Sequence, residues 1–185
     1  MKIVSAYSIK GGVGKTATAV NLAYVAAKKG VKTLLIDLDP QAASSFYLRV
    51  RAPKKLKGKT LLKFQDRVLR YIKASDYEHL DILPAHKSFR NLDLMLNDMK
   101  KPRKRLRQVL NGFQEHYGLV VLVSTPTISL VAQNLFNTSD TILVPVVPVL
   151  FEDAGEPALD TVWDLTATIL DAVHPVFESF HVRHY

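Results

Sequence analysis

The chain has 185 residues, 48% of them hydrophobic, and a formal charge of +8 at pH 7. That length suits one α/β domain with a sizeable core and is short for two; no apolar run approaches a membrane span. The chain has no cysteine, which excludes disulfides and thiolate metal sites. The N-terminus enters a strand directly, so no signal peptide is expected and a cytoplasmic location follows.

The first apolar run, Ile3, Val4, Ala6 and Tyr7, predicts a strand, and Ala17 to Lys28 predicts a helix. Between them lies Lys10-Gly11-Gly12-Val13-Gly14-Lys15-Thr16. Strand, glycine-rich turn and helix, in that order, form the context of a phosphate-binding loop. The glycines let successive N–H groups converge on one anion, and the helix adds its unsatisfied amides and the positive end of its dipole. Lys15 supplies a point charge for β- and γ-phosphates, and the Thr16 hydroxyl is placed to hold Mg²⁺. Ala17, Val20, Leu22, Ala23, Val25 and Ala26 are the expected buried side of the helix, which Gly30 ends.

Thr33 to Asp37 reads as a buried parallel strand running into Leu38-Asp39-Pro40-Gln41. A carboxylate just past such a strand sits where open α/β sheets bind ligands. Residues 49 to 59 predict an exposed basic loop, and Leu61 to Lys73 a helix. Leu80 to Ala85 predicts a short strand, Leu92 to Met99 a helix, and Pro102 to about His116 another. Tyr117 to Pro126 and Thr141 to Pro148 are the remaining strands of this part. Pro157 to Val173 has amphipathic helical spacing, with Trp163 read as core, and Val176 to Val182 suggests one more strand.

Charge is unevenly spread. Arg49 to Lys73 holds ten Lys/Arg against Asp66 alone, Lys100 to Arg107 holds six with no acid, and from Leu150 onward seven acids face only Arg183. Clustered positive charge fits a nucleic-acid partner and equally a solvated helix face. Arg103, Lys104, Arg105 and Arg107 occupy the first turns of a helix, where the dipole disfavours cations; an anionic partner or simple solvation relieves that conflict. His181 and His184 lack an evident third ligand, and no nucleophile motif gathers the serines and histidines.

In the glycine loop, Ile9 stands where common phosphate loops carry a glycine, and a second lysine, Lys10, heads the motif. This deviant form resembles the ParA/MinD family of partition and positioning ATPases. Leu-Ile-Asp-Leu-Asp-Pro-Gln (35–41) resembles that family's first switch, and Leu83-Pro84-Ala85 and the 128–148 stretch are similar to it as well. The resemblance implies ATP/ADP and Mg²⁺ as cofactors, with Lys10, Gly11, Gly12, Val13, Gly14, Lys15, Thr16 and Ala17 on the nucleotide. It further implies that Lys10 reaches across a nucleotide-sandwich homodimer, that Asp39 orients the attacking water, and that Thr16, Asp37 and Asp39 serve the metal side. Non-specific DNA and a ParB-like or cargo adaptor are the implied partners. Location would be cytoplasmic and nucleoid-associated, with no membrane helix of the MinD kind.

The pattern breaks at Val123. Relatives end this strand in an aspartate followed by a small residue and two prolines, and that aspartate holds Mg²⁺ through water. Here Val123, Ser124 and Thr125 precede Pro126, and an isopropyl group accepts no hydrogen bond. The expectation is a three-layer, mostly parallel twisted sheet with helices on both faces, as one domain over 1–185, shortened at its C-terminus relative to the family. A partition ATPase, a non-hydrolysing nucleotide switch and a DNA-binding protein with a relic loop remain the three functional readings.

Overall fold

The computed structural model describes residues 1–63 and 65–146, the side chains of Gln65 and Asp66 excepted. The stretch from Met1 to Pro145 forms one compact unit. The expectations for Phe64, for 147 onward, for Trp163 and for the C-terminal histidines fall outside the described residues.

In chain order the elements are β1 (Lys2–Ala6), α1 (Lys15–Lys28), β2 (Thr33–Asp37), α2 (Ala43–Tyr47), α3 (Gly58–Lys63), α4 (Gln65–Val68), β3 (Lys73–Ala74), β4 (Leu80–Leu83), α5 (Leu92–Asn97), α6 (Arg105–Leu110), β5 (Leu119–Val123), α7 (Leu130–Thr138) and β6 (Thr141–Leu143). The strands form one sheet in the order β3-β4-β2-β5-β1-β6. Every pairing is parallel except that of β3, a two-residue antiparallel edge.

The central strands β2 and β5 are buried on both faces, as their continuous apolar runs require. On one face Ile3, Leu34, Ile36, Val120 and Leu122 pack with apolar residues of α3, α5, α6 and α7. The opposite face meets α1 through Ala19, Ala23, Ala26 and Ala27, each at most 2% exposed. Small side chains let this helix lie close to the sheet. The buried stripe is Lys15, Ala19, Leu22, Ala23, Ala26 and Ala27, so Ala17 and Val25, expected inside, are exposed and Val20 is half-buried. An alanine-rich helix carries too weak an apolar contrast for sequence to orient it.

Two predicted helices are shorter than expected. The 61–73 helix is instead α3, α4 and a 3₁₀ turn at Leu69–Tyr71, followed by β3. It begins early, at Gly58, where an added Cβ would lie 3.0 Å from the Met95 sulfur and 3.1 Å from a Leu92 methyl. The Pro102–His116 helix is α6 with 3₁₀ turns on either side.

Candidate functional site

Parallel pairing places three strand ends together. Ala6 and Asp37 both align with Val123, so the loops after β1, β2 and β5 emerge side by side at the C-terminal edge of the sheet. The loop after β1 carries the glycines. Gly12 and Gly14 have φ of 75° and 91°, a left-handed conformation that side chains with a Cβ rarely adopt. A Cβ added at either would meet no heavy atom within 4 Å. Conformation, not crowding, therefore requires glycine, and the space beside the loop is open.

Gly14 caps α1 without any side-chain hydrogen bond, leaving the first amides of that helix without an intrahelical acceptor. Lys15 is only 8% exposed. Its Nζ reaches back across the loop to donate to the Lys10 carbonyl at 3.1 Å. The Lys10 N–H donates to Ser8 Oγ, and its own side chain projects into solvent. Thr16 is half-buried and Ala17 exposed.

The loop after β2 is held by Asp37. This carboxylate is fully buried: Oδ2 accepts from the Ser45 N–H at 2.9 Å and the Ser45 hydroxyl at 2.8 Å, and Oδ1 accepts from the Asp39 N–H. Burial pushes its pKa up; the bonds from Ser45 and Asp39 pull it back, and the Asp39 charge adds to the rise. Ser45 Oγ also accepts from the Ala85 N–H at 2.9 Å, so one serine ties the ends of β2 and β4 together. No local pattern marks Ser45, because its helix, α2, has only five residues and no readable period. Asp39, half-buried, accepts from the Gln41 N–H through Oδ1. Among the described residues, no donor reaches its second oxygen or the Thr16 hydroxyl. A cleft of about 740 Å³ opens beside Asp39 and Gln41, lined also by Phe89, Arg90 and Thr125.

Val123 is 1% exposed. Because it pairs in register with Asp37, the two side chains share the face covered by α1. Ser124 is equally buried, and its Oγ donates to the Thr125 carbonyl. Converging amides and an ammonium suit a polyphosphate, and a hydroxyl with a carboxylate suits a hard divalent cation. Thr16 and Asp39 retain oxygen for that cation, Asp37 is committed internally, and Val123 offers none.

The basic helix start is tied to α7 by local hydrogen bonds. Asn134, 1% exposed, accepts from the Leu106 N–H and donates to the Pro102 and Leu130 carbonyls. Arg103 Nε donates to Gln133 Oε1, Arg105 to the Leu62 carbonyl and Gln108, and Arg107 to the Thr138 carbonyl. These contacts give three of the arginines neutral acceptors within the chain, while Arg103, Lys104 and Arg107 stay exposed to solvent.

Comparison with known families matches residues 1–173 to the AAA domain family. The chain is 33% identical to an uncharacterised protein of Methanocaldococcus jannaschii, over 92% of this chain and 69% of that protein. It is 31% identical to the sporulation initiation inhibitor protein Soj of Bacillus subtilis, over 78% of this chain and 58% of Soj. Identity is 30% with the virulence plasmid ParA family protein pGP5-D of Chlamydia psittaci, over 99% of this chain and 71% of that protein. The chain thus spans 58% to 71% of these relatives' lengths. Among solved structures, cobyrinic acid a,c-diamide synthase from Mycobacterium smegmatis with an ATP analogue and magnesium superposes with a TM-score of 0.75 at 22% identity, covering 94% of this chain and 69% of that one. A plasmid partition protein from Borrelia burgdorferi gives 0.70 at 25%, covering 92% and 74%.

Proposed function

The chain belongs to the ParA-like family of P-loop ATPases, and on that premise we propose that it binds ATP with Mg²⁺, dimerises around the nucleotide and associates with DNA to segregate or position a cargo. The observation that carries this reading is the glycine loop itself. Its two left-handed glycines, its open inner space and its inward Lys15 sit beside Asp39 at the end of a parallel sheet. The amides of Gly11 to Ala17 and the Lys15 ammonium hold the phosphates, and Lys10, exposed and projecting from the loop, is available to a partner copy. Thr16 and Asp39 serve the metal side, and Asp39 orients water. The Mg²⁺ neutralises charge on the phosphates when bound. An adaptor of the ParB kind and a cytoplasmic, nucleoid-associated location complete the reading. Among the described residues, no helix is long and apolar enough to cross a membrane.

Val123 favours a second reading, a nucleotide switch that binds without turnover, because its isopropyl group, buried at the strand end beside Asp37, accepts no hydrogen bond from a metal-bound water. Mg²⁺-dependent ATP turnover, with and without duplex DNA, separates the two in wild type, Lys15→Ala and Val123→Asp. Wild-type turnover lost in Lys15→Ala supports the ATPase. Silence in the wild type with activity gained in Val123→Asp supports the switch. ATP bound equally by wild type and Lys15→Ala overturns both.

A further inference from the structure

The surface at the end of α2 is formed by residues not assigned to the nucleotide site. Phe46 is 84% exposed and Tyr47 61%, an unusual outlay of aromatic area at the end of a short helix. Behind them the chain turns back sharply. The Arg49 N–H donates to the Phe46 carbonyl at 3.0 Å and the Val50 N–H to the Ser45 carbonyl at 2.9 Å, the paired bonds of a left-handed helix stop. Arg49 occupies the left-handed position with φ 55°, where glycine is the ordinary occupant. The turn is anchored from below by Leu48, 3% exposed, and by Ser45 on Asp37. Both rings are thus presented by a fixed frame and line a recess of about 530 Å³ together with Arg49, Val50 and Arg51.

Charge selects the occupant. From Pro40 to Gln65 the sequence has seven Lys/Arg and no acid, and Arg49, Arg51, Lys54, Lys55, Lys57 and Lys59 are all exposed. A second copy docked face to face would set this basic loop against itself. Two rings on a five-residue helix form no apolar stripe of the kind that lies in a membrane. Exposed rings beside a basic track are the means by which proteins take up unpaired bases and their phosphates. A duplex, whose bases are already stacked, has no use for the rings.

We propose that Phe46, Tyr47, Arg49 and Arg51 form a binding site for single-stranded DNA, with bases stacked on the two rings and the phosphates on the arginines and the lysines that follow. This site does not rest on the nucleotide reading, so its assay contains no ATP.

The test is fluorescence anisotropy of a labelled thymidine oligomer of about 20 nucleotides, and of a duplex of the same length, with the full chain. Phe46→Ala and Tyr47→Ala should each weaken single-strand binding about tenfold and leave duplex binding and the melting temperature unchanged, since both rings are exposed. Arg49→Gln with Arg51→Gln should lower the single-strand salt slope by about 1.4. Phe46→Trp should keep the affinity and gain a fluorescence quench on binding that the wild type, with its one tryptophan, lacks. Equal losses on duplex and single strand, or no loss in either alanine variant, would overturn the proposal. So would binding to phosphatidylserine vesicles, or a dimer in sedimentation, that depends on the two rings while oligomer binding does not.

Discussion

At residue 123 the choice of valine decides the electrostatics of the strand end. Its isopropyl group lies on the same sheet face as Asp37, which is fully buried and already accepts three hydrogen bonds. Introducing Val123→Asp buries a second carboxylate on the same face, at a cost of about 3–5 kcal/mol where it stays unpaired. Urea unfolding should register that loss, and Mg²⁺ with ATP should recover more of it in the variant than in the wild type. A different side chain sets a pH response. His86 Nδ1 accepts from the Ser88 N–H, and the Ser88 hydroxyl in turn accepts from the Gly58 N–H. Desolvation, with Lys87 and Lys57 nearby, holds its pKa below the ordinary 6.5. The neutral ring is the folded form, so its contribution is full above 6.5 and is lost as pH falls through the lower folded value. Melting temperature should therefore decline more steeply on acidification in the wild type than in His86→Ala.

Among the elements, the packing of α6 against α7 depends on one buried amide. Asn134, itself 1% exposed, satisfies one donor and two acceptors. Asn134→Ala should cost about 1–3 kcal/mol in urea unfolding, through groups left unpaired at the start of α6. Elements with a strong internal period were legible in the sequence: β1, α1, β2, β4, α5 and β5 stand close to where their apolar spacing placed them. The broken 61–73 segment was not, because its start depends on Gly58 fitting against Met95 and Leu92 and bonding Ser88. Those are contacts across 30 residues and more. The two-residue strand β3 exists only through its pairing with Asp81 and Ile82, and α2 only through its bonds to the ends of β2 and β4.

For the whole molecule, the two basic clusters proved unlike each other. In the 100–107 cluster three arginines bond acceptors within the chain and only Arg105 is half-buried, whereas the lysines and arginines of the 49–59 loop are all exposed, with no acid among them. Duplex DNA affinity should fall steeply with salt, as counterions are released. Lys54→Gln, Lys55→Gln and Lys57→Gln together should lower the slope by about 2.7. Arg105→Gln, by contrast, should lower stability and leave the slope unchanged. Titrations across a salt series read both, and a slope untouched by the triple change would remove the loop from the DNA interface.

By itself the sequence determined the parallel α/β class, the glycine loop and its place before a helix, and the carboxylate turn after the second strand. Each is written in a contiguous stretch whose local period or turn chemistry is sufficient to specify it. The tertiary structure alone decided what shares a face or a bond across strands. It set Val123 beside Asp37, gave Asp37 to Ser45, and bonded the α6 arginines to the Leu62 and Thr138 carbonyls while leaving Phe46 and Tyr47 out. Those outcomes depend on strand register and side-chain reach between segments far apart in the chain, for which no local pattern exists.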